Sequence, residues 1–224
     1  MPHGTLDLMG FTGFPDEAFL FYEGLEADNS KTYFAQHKQL YEEAVRAPML
    51  ALADELGPEF GEVHLFRPYR DVRFAKDKSP YKTHQGAFVG LMPGIGYYVE
   101  LSAAGIFAAG GVYTGASDQV ARYRAAVDED VSGKPLAALT ERLVTAGYEL
   151  MGDRLKTRPR GFDDDHPRIG LLRHRSIYAG VRWEPEPWVH TPEVRARVER
   201  SWRAFGPLVE WLCTHVRGSE LSRR

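Results

Sequence analysis

The 224-residue chain has a single cysteine, Cys213, which excludes an internal disulfide framework and any cysteine-based zinc site. No stretch approaches the ~20 apolar residues of a membrane-spanning helix, because Gly, Arg or Glu interrupts each long apolar run. A surplus of one charge sign is missing as well. The 28 basic and 31 acidic residues leave a net of −3, which removes any global pull toward nucleic acid or an anionic membrane. Met1-Pro2-His3-Gly4 shows neither the basic start nor the apolar run of a secretion signal. A cytoplasmic location without a membrane partner is therefore expected.

The common nucleotide and hydrolase fingerprints are absent too. Gly133-Lys134 is followed by Pro135 where a phosphate loop needs Ser or Thr. Gly94-x-Gly96 lacks the third glycine of a dinucleotide turn and does not open a helix. There is no Gly-x-Ser-x-Gly elbow and no His-Glu-x-x-His helix, and no two of the eight histidines stand four residues apart. No cofactor and no metal is expected.

What is there is an ordinary folded composition, 43% hydrophobic and 12% aromatic. A chain of this length buries ~70% of its unfolded surface without covalent or metal support. Phe14-Pro15-Asp16-Glu17 opens a helix, with acids at its positive end. Asp28-Asn29-Ser30 stops it and caps a second, which bends or restarts at Pro48 and closes at Gly57-Pro58. Alternation over Asp71–Phe74, with Val72 and Phe74 on the core side, predicts a strand. Segments 86–91, 96–101 and 105–113 predict three more, joined too tightly for parallel crossovers. Ser117 is expected to cap a helix, and a further helical run follows Gly133-Lys134-Pro135. Strands are predicted over Tyr148–Leu155 and Ile177–Trp183, with a short helix between them opened by Asp165-His166-Pro167. Thr191-Pro192-Glu193 opens the last helix, with a kink at Gly206-Pro207. The expectation is one α+β domain over residues 1–224. Its antiparallel central sheet, a meander plus later strands, is packed by N-terminal and C-terminal helices.

One segment stands apart. Residues 67–84 hold three arginines and three lysines against two aspartates, a net of +4 in a chain whose total is −3. Guanidinium forks, ammonium groups and hydroxyls in one place are what a phosphate or carboxylate site requires. Arg70, Arg73, Lys76, Lys78 and Lys82 are the expected anion ligands. Tyr81 would add a hydrogen bond, Asp71 would orient Arg73, and Arg73→Ala is expected to abolish binding at little cost in stability. His84, close to these cations, is the candidate acid–base residue, with Asp77 second. Arg173, His174, Arg175 and Arg182 flank a late strand and are further candidates for the same site.

Asp71-Val72-Arg73-Phe74-Ala75-Lys76-Asp77-Lys78-Ser79-Pro80-Tyr81-Lys82 resembles the signature of the family catalogued as domain of unknown function 2461. Leu25-x-x-Asp28-Asn29-x-x-x-Tyr33-Phe34-x-x-His37 resembles its N-terminal helix pair, with Asp28 and Tyr33 where Asn and Trp are expected. Tyr97–Glu100, Gly110–Tyr113, Tyr123-Arg124, Pro159–Phe162 and His166-Pro167 resemble its later blocks. The resemblance spans roughly Gly10 to Cys213 and implies one α+β domain, with no substrate, reaction or catalytic residue attached.

Two readings of the cluster stand side by side: an anion site, or a fold-stabilising salt-bridge network pairing Asp71 with Arg73 and Asp77 with Lys76 or Lys78. The leading function is a domain binding a small anionic ligand. A hydrolase or transferase using His84 and a nucleic-acid-associated or structural protein are the alternatives. Nucleic acid ranks low unless the second basic run, Arg154–Arg160, folds beside the first. Asp163-Asp164-Asp165-His166 reads as a cap and solvated loop in preference to a metal site. His37, on an apolar helix stripe, reads as a core histidine.

Overall fold

The structure is a computed structural model that describes residues 10–73, 76–113 and 115–219. Helix α1 (Asp16–Ala27) starts after Pro15 in extended backbone. Ser30 caps α2 (Lys31–Gln36), its hydroxyl accepting from the Tyr33 amide at 3.0 Å. A single turn, α3 (Lys38–Leu40), widens into a π-helical segment over Tyr41–Arg46 and continues as α4 (Ala47–Phe60). Pro48 is the second residue of α4, directly after the π-helical segment, so the helix passes through it without restarting. The expected stop at Gly57-Pro58 is corrected: α4 runs on to Phe60, which is buried edge-on against Tyr97 and Trp202. Packing of that ring outweighs the local breakers.

Strands β1 (Glu62–Leu65), β2 (His84–Met92), β3 (Ile95–Ser102) and β4 (Gly105–Val112) form an antiparallel meander. Helices α5 (Ser117–Asp128) and α6 (Asp130–Thr145) follow. Ala116, not Ser117, occupies the cap position of α5, and α6 begins three residues before the Gly133-Lys134-Pro135 signal, with Asp130 tied to Lys134 and Arg168. Next come β5 (Glu149–Met151), α7 (Ile169–Leu172), β6 (Ile177–Trp183) and α8 (Glu193–His215). The six strands lie in the order β1-β2-β3-β4-β6-β5. The fold is α+β, as expected.

Two strand expectations are corrected. The meander's first strand is β1, paired from Glu62↔Gly90 to Leu65↔Ala87, and Asp71–Arg73 are not in a strand. The Asp71 carboxylate accepts from the Arg73 amide at 3.2 Å, and Asp77 accepts from the Ser79 amide at 2.9 Å. Each aspartate thus bonds the backbone two residues on and turns the chain, which overrides the alternating pattern. Phe74 lies outside the described residues. The predicted strand Tyr148–Leu155 shortens to β5. It ends at Gly152 (φ 128°), where a Cβ would stand 2.0 Å from the Ser176 carbonyl oxygen.

Alternation along the strands divides the sheet. Ala87, Val89, Val99, Leu101, Ile106, Ala108, Ile177 and Ala179 are buried in the core. The core also takes in Trp202 of α8, which stacks on Tyr97 at 5.3 Å and donates to the Tyr98 carbonyl at 3.3 Å. The opposite face carries His84, Phe88, Tyr98, Glu100, Phe107, Tyr178 and Arg182.

Candidate functional site

The 67–84 segment is an arm that prolongs the β1–β2 pair. The Phe66 amide donates to Gly86 O (3.0 Å), Lys82 to Pro68 O (2.8 Å) and Arg70 to Pro80 O (2.9 Å), with Tyr69 bridging Tyr81. Polar bonds secure its base. Buried Gln85 donates to the Phe66 carbonyl at 2.8 Å and accepts from the Tyr41 hydroxyl, on the π-helical segment, at 2.6 Å. Farther out, Asn29 both donates to the Tyr81 carbonyl and accepts from its amide, each at 3.1 Å. The Tyr81 ring lies parallel to Phe34 at 4.1 Å.

This arm separates the predicted site residues into two groups. At the tip, Arg73 pairs with Asp71 through two nitrogens (3.0 and 2.7 Å), and the Arg73 side chain is 78% exposed. Asp77 pairs with Arg70 and accepts from the Ser79 hydroxyl at 2.6 Å. Lys78 donates to the Val72 carbonyl at 2.9 Å, and Lys76 is exposed. Hydrogen bonds from Arg73 hold the Asp71 carboxyl down to about 2; those from Ser79 and Arg70 do the same for Asp77, also to about 2. Tyr81, expected to contact a ligand, is buried as an anchor of the arm instead of lining its surface.

The second group gathers where the arm meets the sheet. His84 opens β2, and burial depresses its pKa first, opposed by Glu100, with Lys82, Arg182 and Arg70 adding to the depression. Burial thus favours the neutral imidazole. Its Nε2 stands 3.7 Å from Glu100 Oε2, which also accepts from the Tyr98 hydroxyl at 2.8 Å. The other oxygen, Oε1, lies 3.5 Å from Arg182 Nη2. Burial and the Glu100 charge push the Tyr98 hydroxyl well above its usual range, so it remains a donor. The Lys82 ammonium stands 5.0 Å from the centre of the Phe66 ring, and burial followed by the Arg67 charge lowers its pKa. Arg182 lies 4.8 Å from the centre of Phe107.

The rings of this face lie low because glycines sit beneath them. A Cβ on Gly86 would stand 2.3 Å from the Tyr98 hydroxyl oxygen, and one on Gly180 2.8 Å from the Phe107 ring. The floor is thus aromatic, and the groups above it are charged. Among the described residues, carboxylates pair with Arg70 and Arg73 of the arm but not with Arg67, Lys76, Lys78 or Lys82. A wholly self-neutralised network is not what the arm carries.

The late-strand candidates divide. Arg182 joins the site. Arg173 lies 3.7 Å from Asp164, and His174 is buried with Nδ1 against the Ser176 carbonyl at 3.0 Å. Arg175 pairs with Asp153. The second basic run follows β5, four strand spacings from β2 (~19 Å) and at the other end of the strands, so the two runs form no common groove. Its Arg158 bonds Asp164 at 3.3 Å. Asp163, Asp164 and Asp165 are exposed, and no metal-ligating cluster occurs among the described residues. His37 is half-buried, stacked on Tyr33 at 4.1 Å with Nδ1 against the Tyr33 carbonyl.

Glu100 and Tyr98 were missed from sequence. The available signal was a carboxylate two residues from a tyrosine within a Gly- and aromatic-rich strand, which puts both on one face. A family model described as "Conserved hypothetical protein (DUF2461)" matches residues 17–211. No curated protein matches the chain.

Proposed function

The chain belongs to the DUF2461 family of conserved hypothetical proteins, and within that family we propose that it binds a small anion bearing phosphate or carboxylate where the arm meets the sheet. Lys82 and Arg182 hold the anion, Arg67, Arg70 and the tip cations Arg73, Lys76 and Lys78 extend the positive surface, and His84 supplies a hydrogen bond. The observation that carries the reading is the gathering of cations around His84. Lys82 and Arg70 of the arm and Arg182 of the sheet surround it, with Glu100 as the carboxylate at contact distance and no carboxylate paired with Lys82 among the described residues. Such a field favours an incoming anion.

Thermal shift with inorganic phosphate, glycerol 3-phosphate, citrate and related metabolites tests it. Binding at 100 times Kd adds about 2.7 kcal/mol to stability and raises Tm. Lys82→Ala and Arg182→Ala are expected to retain the ligand-free Tm and lose the shift. A full panel without a shift, or shifts that survive both substitutions, would refute the proposal.

The His84–Glu100 contact favours a second reading, a hydrolase or transferase acting on that anion. Glu100 would orient the imidazole and His84 would move a proton. His84→Ala would then abolish turnover while binding persists.

A further inference from the structure

We propose a second ligand site, independent of the arm, in the depression of about 780 Å³ between α5, the end of β5 and the start of β6; it takes a nucleoside monophosphate, an anion carrying a planar ring. The volume lies within the ~300–1,000 Å³ of small-molecule sites. Arg124 and Arg175 reach it from α5 and from the turn before β6, and Tyr113 and Tyr178 form its aromatic side.

The charges are unbalanced. Arg175 pairs with Asp153, whereas no carboxylate among the described residues lies within ion-pair distance of Arg124. The Nε of Arg124 donates to the Leu172 carbonyl at 3.2 Å, which fixes the half-buried guanidinium. Burial and then the like charge of Arg175 lower its pKa. Two guanidiniums lining one hollow against the single carboxylate of Asp153 favour an anion, and phosphate matches their fork geometry. The ring partner follows from the tyrosines. Tyr113 is 73% exposed, and its ring centre is 5.6 Å from that of Tyr178 at 43°. An uncovered aromatic face beside a cationic hollow suits stacking of a base. The Asp153 carboxylate adds an acceptor for ribose hydroxyls.

The test is calorimetric titration of AMP and of ribose 5-phosphate into the Lys82→Ala/Arg182→Ala protein, in which the arm site is disabled. AMP is expected to bind at least about tenfold more tightly than ribose 5-phosphate, the increment of one aromatic stack. Tyr113→Ala, a change at an exposed side chain, should erase that ratio. Arg124→Gln should weaken both ligands, with Arg124→Lys restoring part of the affinity and unchanged circular dichroism confirming the fold. Equal binding of the two ligands, no binding of AMP, or an unaltered ratio in Tyr113→Ala would overturn the inference. None of these outcomes bears on the arm site, which the titrated protein lacks.

Discussion

His84 carries a distinct pH signature. Its folded pKa lies below the unfolded value of ~6.5, so the unfolded chain takes up the proton first. Above that value the shift costs no stability. As pH falls below it, toward the folded midpoint, stability declines, and His84→Gln should flatten that part of the curve. Glu100→Gln should move the NMR midpoint of His84 further down, and Arg182→Gln should move it up. No response to either change would mean that these groups do not share a field. Asp71 and Asp77 act in the same sense at lower pH. Their pairs hold above ~4 and are lost as pH falls through about 2. Carboxyl carbon resonances of these two aspartates should titrate near 2. Both are exposed, so the change stays local to the arm's tip. The cation surplus of residues 67–84 was legible by counting. Its division was not, because Asx-type bonds at Asp71 and Asp77 decide which way the backbone turns.

At the level of elements, the arm depends on a few polar bonds and one ring stack. Asn29→Ala removes both bonds to Tyr81 and should cost ~1–3 kcal/mol in urea denaturation. Hydrogen exchange should accelerate at the amides of Tyr81 and Lys82 while those of β3 and β4 stay protected. If arm and sheet exchange alike, the arm is not a separable unit. The helix start at Lys31 follows from its Ser30 cap, and the start at Asp16 and strand β6 from Pro15, first-turn acids and apolar spacing, all of which act within a few positions. Strand β1 and the short β5 do not. The first is a four-residue strand whose partner lies beyond an 18-residue arm, and the second stops where Gly152 meets the Ser176 backbone. Such contacts have no trace in local periodicity.

Across the whole chain, one contiguous apolar cluster runs from Phe11 to Val216 and includes residues from both ends and from the sheet. We therefore expect one cooperative unfolding transition, with near- and far-ultraviolet dichroism coinciding. Trp202 is fully buried against Phe60 and Tyr97, and Trp202→Ala should cost ~3–5 kcal/mol and shift both probes together. Separate transitions would show two folding units. Composition, cap residues and the periods of apolar side chains suffice for the α+β class, the antiparallel meander and the location of the cation-rich segment, since each acts over a few neighbouring residues. The company of His84, by contrast, comes from Glu100 on β3 and Arg182 on β6, far along the chain. Strand register brings them together, because antiparallel pairing sets Glu100 opposite Phe107 and Phe107 opposite Arg182, and a slip of one residue would turn each to the other face.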